Sequence, residues 1–191
     1  YLYQLPTVLN AGTNYEDDTN NFIKVLDKFE GKGDVPRTVY SQLDEYFATI
    51  GMQCGDYYKR QPLIDSRKTN TSKRQLWDAL EYTKNNKYYD ETNIIAHMYW
   101  GWSLPDIAMY RDNLISDYRK TQNVWGDIKH KYKRTASLGT QFRLFVHLKA
   151  IGFECNREDF KIQDMVESLR LHNEVWKIMC DKTGLKYFFV S

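Results

Sequence analysis

Apolar residues recur at helical spacing along most of this chain. The first stripe contains Phe22, Ile23, Leu26 and Phe29, and the second contains Val39, Tyr40, Leu43, Phe47 and Ile50. Apolar positions three and four residues apart predict amphipathic helices. Gly31, Gly33 and Pro36 lie between the stripes, where helices commonly end and begin. The pattern therefore predicts two antiparallel helices joined by a short glycine-rich turn.

The helical spacing resumes after an irregular, basic stretch at residues 51–71. Further apolar stripes predict helices near residues 72–83, 88–101, 107–128, 139–152 and 166–184, with a break expected inside the 107–128 stripe. The tail at residues 186–190 can pair as a short C-terminal strand or pack against the helices. We predict a compact all-α domain of about eight helices at residues 17–191, preceded by an extended N-terminal arm at residues 1–16.

The aromatic content changes the picture of the interior. Aromatic residues make up 15% of the chain, and the densest stretch contains Tyr88, Tyr89, Tyr99, Trp100 and Trp102. Exposed rings could stack on unpaired bases. The neighbouring Ile94, Ile95, Met98 and Leu104 favour a core helix instead. We therefore predict that the helix at residues 87–101 lies in the interior of the domain.

The charge is unevenly distributed, although the net charge is only +2. Residues 1–58 hold four bases and nine acids, a net charge of −5, so the remainder carries +7. Basic cluster 1 comprises Lys59, Arg60, Arg67, Lys68, Lys73 and Arg74; basic cluster 2 comprises Arg119, Lys120, Lys129, Lys131, Lys133 and Arg134. Lysine and arginine among hydroxyl and amide side chains suit contacts to phosphate. A solvated loop is the alternative for each cluster, and both together favour a surface for nucleic acid or another polyanion.

Alternate positions in basic cluster 2 constrain its backbone. Lys129, Lys131 and Lys133 cannot all share one face of an α-helix, because side chains on one face are three or four residues apart. We therefore expect either an extended segment or the end of a helix at this place.

Catalytic and metal-binding signatures are missing from the sequence. The cysteines Cys54, Cys155 and Cys180 form no C-x-x-C pair and are expected to be free thiols. His97 and His147 lie in apolar surroundings, which favours structural histidines over ligands or bases. No phosphate-binding loop, G-x-S-x-G or H-E-x-x-H motif occurs, and no apolar run approaches the ~20 residues of a membrane span. We predict no enzyme activity, cofactor, small-molecule substrate or membrane partner.

Three segments, read in order, form a pattern that none of them forms alone. They are Gly31-Lys32-Gly33-Asp34-Val35-Pro36, Asn86-Lys87-Tyr88-Tyr89-Asp90-Glu91, and His172-Asn173-Glu174-Val175-Trp176-Lys177 running on to Cys180. Ile94-Ile95 and the spacing from Gly101 to Pro105 follow the second segment, and Gly184-Leu185 follows the third. With this order and these distances, residues 20–191 resemble the poxvirus late transcription factor 3 family of the nucleocytoplasmic large DNA viruses.

The resemblance implies a function in viral late gene expression. It implies a trans-acting factor that works with viral RNA polymerase or other late factors and with late promoter DNA. The expected location is the viral factory in the host cytoplasm, or the virion after packaging. The zinc-ribbon cysteines that precede this region in the family do not occur in this sequence, so we expect no zinc here and a chain that starts partway through its protein.

Two other functions are compatible with the same sequence, and the charge distribution suggests one hypothesis about partners. The chain could be a virion-internal or capsid-associated structural protein that reuses this domain, or a nuclease that uses Asp90, Glu91 and Asp106. The hypothesis is that an acidic face contacts protein while the basic clusters contact nucleic acid. Its members would be Asp17, Asp18, Asp27, Glu30, Asp34 and Glu45. Acids that only complement helix starts are the alternative.

Overall fold

Ser72 and Gly184 show how local sequence sets the ends of the helices. The Ser72 hydroxyl accepts a hydrogen bond from Gln75 N–H, and the Gln75 side chain accepts one from Ser72 N–H, which is a complete capping box. At the last helix, Gly184 ends the element with φ of +79°, a left-handed conformation that glycine adopts without steric cost.

The computed structural model describes residues 18–134 and 137–191, and these residues fold into α-helices with short 3₁₀ turns. The α-helices are α1 (18–29), α2 (Arg37–Thr49), α3 (Gly55–Lys59), α4 (Lys73–Tyr82), α5 (Thr92–Trp100), α6 (Arg111–Ile128), α7 (Thr140–Ala150) and α8 (Val166–Thr183). In these ranges the one β pairing is the bridge between Ile64 and Arg67. The predicted all-α class is confirmed. The predicted arm at 1–16 and Asp17 lie outside the described residues.

The structure differs from the sequence-based prediction in one helix start, one expected break and one additional helix. The 3₁₀ turn Asn86–Glu91 precedes α5, so the helix predicted from residue 88 begins at Thr92. The expected break in the 107–128 stripe does not occur, because α6 continues through Gly126 to Ile128 after the 3₁₀ turn Ala108–Tyr110. The stretch predicted to be irregular contains α3, whose first turn holds Asp56 and whose last residue is Lys59.

The chain divides into two compact units. The central unit is Leu26–Ile107, and the terminal unit combines the described residues up to Val25 with Ala108–Ser191. The core of the central unit centres on Trp100, which is fully buried among Phe47, Tyr58 and Trp102. Trp100 therefore confirms the prediction that the aromatic helix lies in the interior.

The core of the terminal unit combines aromatic packing with a buried guanidinium. Trp176 is fully buried against the ring of His147, and the ring of Phe22 stacks on Tyr118 at 4.2 Å. The Arg143 side chain is 2% exposed and donates to Gln122 Oε1 (2.8 Å), Ser137 Oγ (2.9 Å) and Thr121 Oγ1 (2.5 Å). Burial lowers the pKa of Arg143 to about 10 because the charged form loses hydration. Neutral oxygen acceptors replace that hydration.

The C-terminal tail packs against α8 without strand pairing. Asn173 Nδ2 donates to the Val190 carbonyl at 2.8 Å, and Val190 N–H donates to Asn173 Oδ1 at 2.9 Å. The Val190 side chain is fully buried. Of the two alternatives for the tail, packing against the helices is therefore confirmed.

Candidate nucleic-acid interface

Basic cluster 1 lies in the central unit, and three of its six members are exposed. Lys59 and Arg60 end α3, and Arg74 lies in the first turn of α4. The Lys59 ammonium is 3.8 Å from Asp56, in a pair whose side chains are 47% and 77% exposed. Exposed ion pairs of this kind contribute little to the stability of the fold. These three cations are therefore accessible to an anionic partner.

Two other members of basic cluster 1 are buried and support the fold. Lys68 is 6% exposed, and its ammonium donates to the carbonyl oxygens of Lys59 (3.1 Å) and Gln61. Lys73 is 5% exposed, with its ammonium 6.0 Å from the centre of the Phe29 ring. Of these two, Lys68 satisfies carbonyl oxygens at the C-terminal end of α3, as lysines near a helix C-terminus commonly do. The sequence could not separate these two lysines from the exposed members, because all six share the same composition signal.

The remaining member, Arg67, ends a tight turn. Ile64 and Arg67 exchange two backbone hydrogen bonds of 2.7 and 3.0 Å. The residues between them, Asp65 and Ser66, have φ of +49° and +71°. Positive φ at both central positions is the requirement of a type I′ turn. Residues 64–67 thus form a β-turn with two central residues and a defined backbone.

Trp102 fixes this turn to the body of the central unit. The Arg67 guanidinium lies 4.4 Å from the centre of the Trp102 ring, and Trp102 Nε1 donates to Thr71 Oγ1 at 2.9 Å. Ser103 N–H donates to the Ser66 carbonyl at 3.0 Å. Two contacts therefore fix the turn: the stacking of Arg67 on Trp102 and the backbone hydrogen bond from Ser103 to Ser66.

Two large apolar side chains stand exposed beside this turn. Leu63 is 51% exposed and Ile64 is 58% exposed, although both belong to the basic stretch. The helical pattern of the sequence did not single them out. A signal was present: the pair follows Pro62 and precedes Asp65-Ser66, and such turn-forming residues place a short apolar pair at a loop tip.

Basic cluster 2 lies in the terminal unit. Arg119 and Lys120 are exposed on α6, and Lys129 and Lys131 are exposed in the 3₁₀ turn that follows Ile128. The chain becomes extended at Tyr132, with φ of −121° and ψ of 141°, and exposed Lys133 follows. Of the two alternatives for these alternate lysines, an extended segment or the end of a helix, the structure shows the end of a helix.

Arg134, the last member of basic cluster 2, lines a cavity of about 290 Å³ together with Lys161 and His172. The His172 Nδ1 lies 2.7 Å from the Ser168 carbonyl, and its Nε2 accepts from Gly139 N–H at 2.9 Å. Burial and, less strongly, Arg134 lower the pKa of His172, while the hydrogen bond to Ser168 opposes that change. His172 is therefore a neutral imidazole that joins α8 to the start of α7.

Burial or a local hydrogen bond accounts for His147, His97 and Cys180, which the sequence singled out. The His147 side chain is 1% exposed, and burial lowers its pKa, with Arg143 adding to the effect. His97 is exposed, with Nδ1 2.6 Å from the Trp102 carbonyl. Cys54, Cys155 and Cys180 are not in disulfides, and burial raises the pKa of the Cys180 thiol to about 12. A thiol with that pKa is unreactive near neutral pH.

Two of the acids proposed to form a partner-binding face, Asp18 and Glu30, have local contacts. Asp18 Oδ2 accepts from Gln122 Nε2 at 2.9 Å within the terminal unit. Glu30 accepts from Ile107 N–H at 3.4 Å and pairs with Lys32 at 3.3 Å within the central unit. These contacts stabilise each unit by itself, and Asp17 lies outside the described residues.

The glycine-rich turn meets the later motifs within the central unit. A Cβ on Gly31 would lie 2.6 Å from Leu104 Cδ2, and a Cβ on Gly33 would lie 2.5 Å from Glu91 Oε1. The Asn93 side chain donates to the Phe29 carbonyl at 2.7 Å. The first two segments that carry the resemblance thus mark a close packing contact among α1, α5 and their connecting turns, whereas the third lies in α8 of the terminal unit.

Neither a metal centre nor a membrane helix is found in the part of the chain that the structure describes. In residues 18–134 and 137–191, no three His, Cys, Asp or Glu side chains come together to hold a metal ion. No helix in the same ranges is long and apolar enough to cross a bilayer.

Comparison with known proteins supplies the family. A family described as Poxvirus Late Transcription Factor VLTF3 like matches residues 9–187, which confirms the resemblance in the three segments. A protein named "Putative transcription factor 282R", from Invertebrate iridescent virus 6, is 29% identical over 111 residues, which are 58% of this chain and 28% of that protein. The chain therefore spans less than a third of that relative. No solved structure matches the chain significantly.

Proposed function

Because the chain belongs to the Poxvirus Late Transcription Factor VLTF3 like family, we propose that it promotes transcription of viral late genes and contacts DNA directly. The family match over residues 9–187 is the observation on which this function rests. The name of the iridescent virus relative supports the same class of function. In this proposal the chain is a binding protein and not an enzyme, and it acts in the viral factory with viral RNA polymerase.

The contact surface of the proposal is the exposed subset of the two basic clusters. In the central unit these are Lys59, Arg60 and Arg74; in the terminal unit they are Arg119, Lys120, Lys129, Lys131 and Lys133. Each cluster contains at least three accessible cations. Cations that neutralise phosphates release counterions, which gives affinity for any DNA sequence. Lys68 and Lys73 are excluded from the contact surface because they are buried.

Recovery of the protein from infected cells tests the transcription function. We expect an epitope-tagged chain to co-purify with viral RNA polymerase subunits and with late promoter DNA after cross-linking. Early promoter DNA, recovered from the same sample, is the control. Recovery with capsid proteins from purified particles, without enrichment of late promoters, would instead support the structural-protein alternative.

A further inference from the structure

The two exposed apolar side chains of the central unit occupy an unusual place. Isolated exposed apolar residues are ordinary on protein surfaces, and Ile50 of the same unit, 51% exposed at the end of α2, is such a residue. Leu63 and Ile64 are consecutive, each more than half exposed, and they adjoin a β-turn with two backbone hydrogen bonds. An apolar pair is therefore presented to solvent on a defined backbone.

The surroundings of this pair identify the chemistry of its partner. Arg60 precedes Leu63 by three residues and Arg67 follows Ile64 by three residues, so each is within about 11 Å along the chain. Exposed Lys59 adjoins Arg60. Such cations attract DNA phosphates and anionic lipid headgroups alike, and the family match favours DNA as the partner. Duplex DNA offers phosphates beside an apolar stack of bases, which matches the exposed cations Lys59 and Arg60 next to the apolar pair.

We propose that Leu63 and Ile64 form a wedge that inserts between adjacent base pairs and bends duplex DNA. Side chains of leucine and isoleucine serve this role in proteins that kink DNA by about 20–90°. Insertion needs a tip that does not yield, and the turn is held by the Ser103 N–H to Ser66 carbonyl bond and by Arg67 on Trp102. The wedge rests on the proposed DNA-binding function and adds a means of recognition. Specificity then follows from how easily a base step is deformed, as at pyrimidine–purine steps.

The test measures bending and affinity separately in the 191-residue chain. A duplex of about 30 bp with a central TA step carries a donor and an acceptor dye at its ends, and energy transfer reports the bend. We expect the unmodified chain to bring the ends together. The double variant L63S/I64S should lose the bend and about tenfold in affinity, because it has no large apolar side chains to bury between the bases. Its salt dependence should be unchanged, since the cations are intact.

Two variants serve as controls for the wedge. Ile50→Ser removes an apolar side chain of equal exposure in the same unit and should leave bending and affinity unchanged. The variant L63F/I64F keeps an apolar tip and should retain bending. Circular dichroism checks that each variant is folded.

Each outcome separates the wedge from the function on which it rests. If the unmodified chain binds the duplex without bending it, or if L63S/I64S bends it equally, the wedge is wrong and DNA binding stands. If the chain does not bind DNA, both proposals fail. If it sediments with phosphatidylserine vesicles and does not bend DNA, the apolar pair is a lipid contact and the wedge is wrong.

Discussion

The ammonium of Lys68 donates a 3.1 Å hydrogen bond to the carbonyl oxygen of Lys59 at the end of α3. The Gln61 carbonyl accepts from the same ammonium. Two lysines of one basic cluster thus have opposite roles: Lys59 is exposed, and Lys68 satisfies the backbone beneath it. Charge reversal of the whole cluster would therefore confuse weakened DNA binding with loss of folding.

Lys68→Met should lower the free energy of unfolding by about 1–3 kcal/mol, because it leaves buried carbonyl oxygens without a donor. DNA affinity per folded molecule should not change. Arg60→Met is the matched control: it should leave stability within about 0.5 kcal/mol and weaken DNA binding. Urea denaturation and DNA titration measure the two quantities. A Lys68→Met variant of normal stability with impaired DNA binding would contradict the assigned role.

Gly55 and Gly126 should respond in opposite directions to replacement by alanine. A Cβ on Gly55 would lie 2.5 Å from the Tyr99 carbonyl oxygen, whereas a Cβ on Gly126 meets no described atom within 4 Å. Gly55→Ala should therefore cost about 1–3 kcal/mol through overpacking. Gly126→Ala, inside α6, should gain about 0.5–1 kcal/mol. Thermal unfolding measures the stability of both variants. A similar change of stability in the two would contradict the close packing at Gly55 in α3.

Ser66→Gly should stabilise the central unit. Ser66 has φ of +71°, and left-handed backbone costs a residue with a Cβ about 1–2 kcal/mol. The greater freedom of glycine in the unfolded chain offsets part of this, so we expect a gain of about 0.5–1 kcal/mol in urea denaturation. Ser66→Val, which is β-branched, should do the reverse. A loss of stability in the glycine variant would contradict the type I′ turn.

The stability of the terminal unit should fall as the pH is lowered below about 6.5, the ordinary pKa of histidine. Burial lowers the pKa values of both His147 and His172 in the folded chain. The unfolded chain therefore binds protons more readily, and stability present above the unfolded pKa is lost as pH falls towards the folded pKa. His172→Gln should reduce the slope of stability against pH below about 6.5. An unchanged slope would show that His172 is not held neutral by Ser168 and Gly139.

The sequence allowed prediction of the fold class and of those helix ends that have a strong local signal. Ser72 with Gln75 and the glycine at 184 act through their own backbone neighbours, so their effects are visible in the sequence. The predicted start of α5 was wrong, at residue 88 instead of Thr92, because the 3₁₀ turn before it has the same apolar residues as a helix. Only the path of the backbone distinguishes the two.

The candidate site was less predictable, since composition does not report burial. Lys68 and Arg60 have the same charge and lie in the same basic stretch, yet one is inside and the other outside. The two differ because the chain after α3 folds back and brings the Lys68 ammonium to the carbonyl oxygens at the end of α3. The exposure of Leu63 and Ile64 is not predictable from the sequence for a related reason: apolar residues are expected inside, and the exposure of these two depends on a turn with only two central residues.

The salt dependence of DNA binding tests the central claim most directly. The variant with glutamate at Lys59, Arg60 and Arg74 is compared with one that reverses Arg37, Lys84 and Lys87, which are exposed in the same unit outside the cluster. In the first variant, we expect the slope of log affinity against log salt to fall by about 0.9 for each phosphate that the protein no longer neutralises. The second variant should keep both the parental slope and a higher affinity than the first. Equal slopes and affinities in the parent and both variants would contradict DNA binding through basic cluster 1.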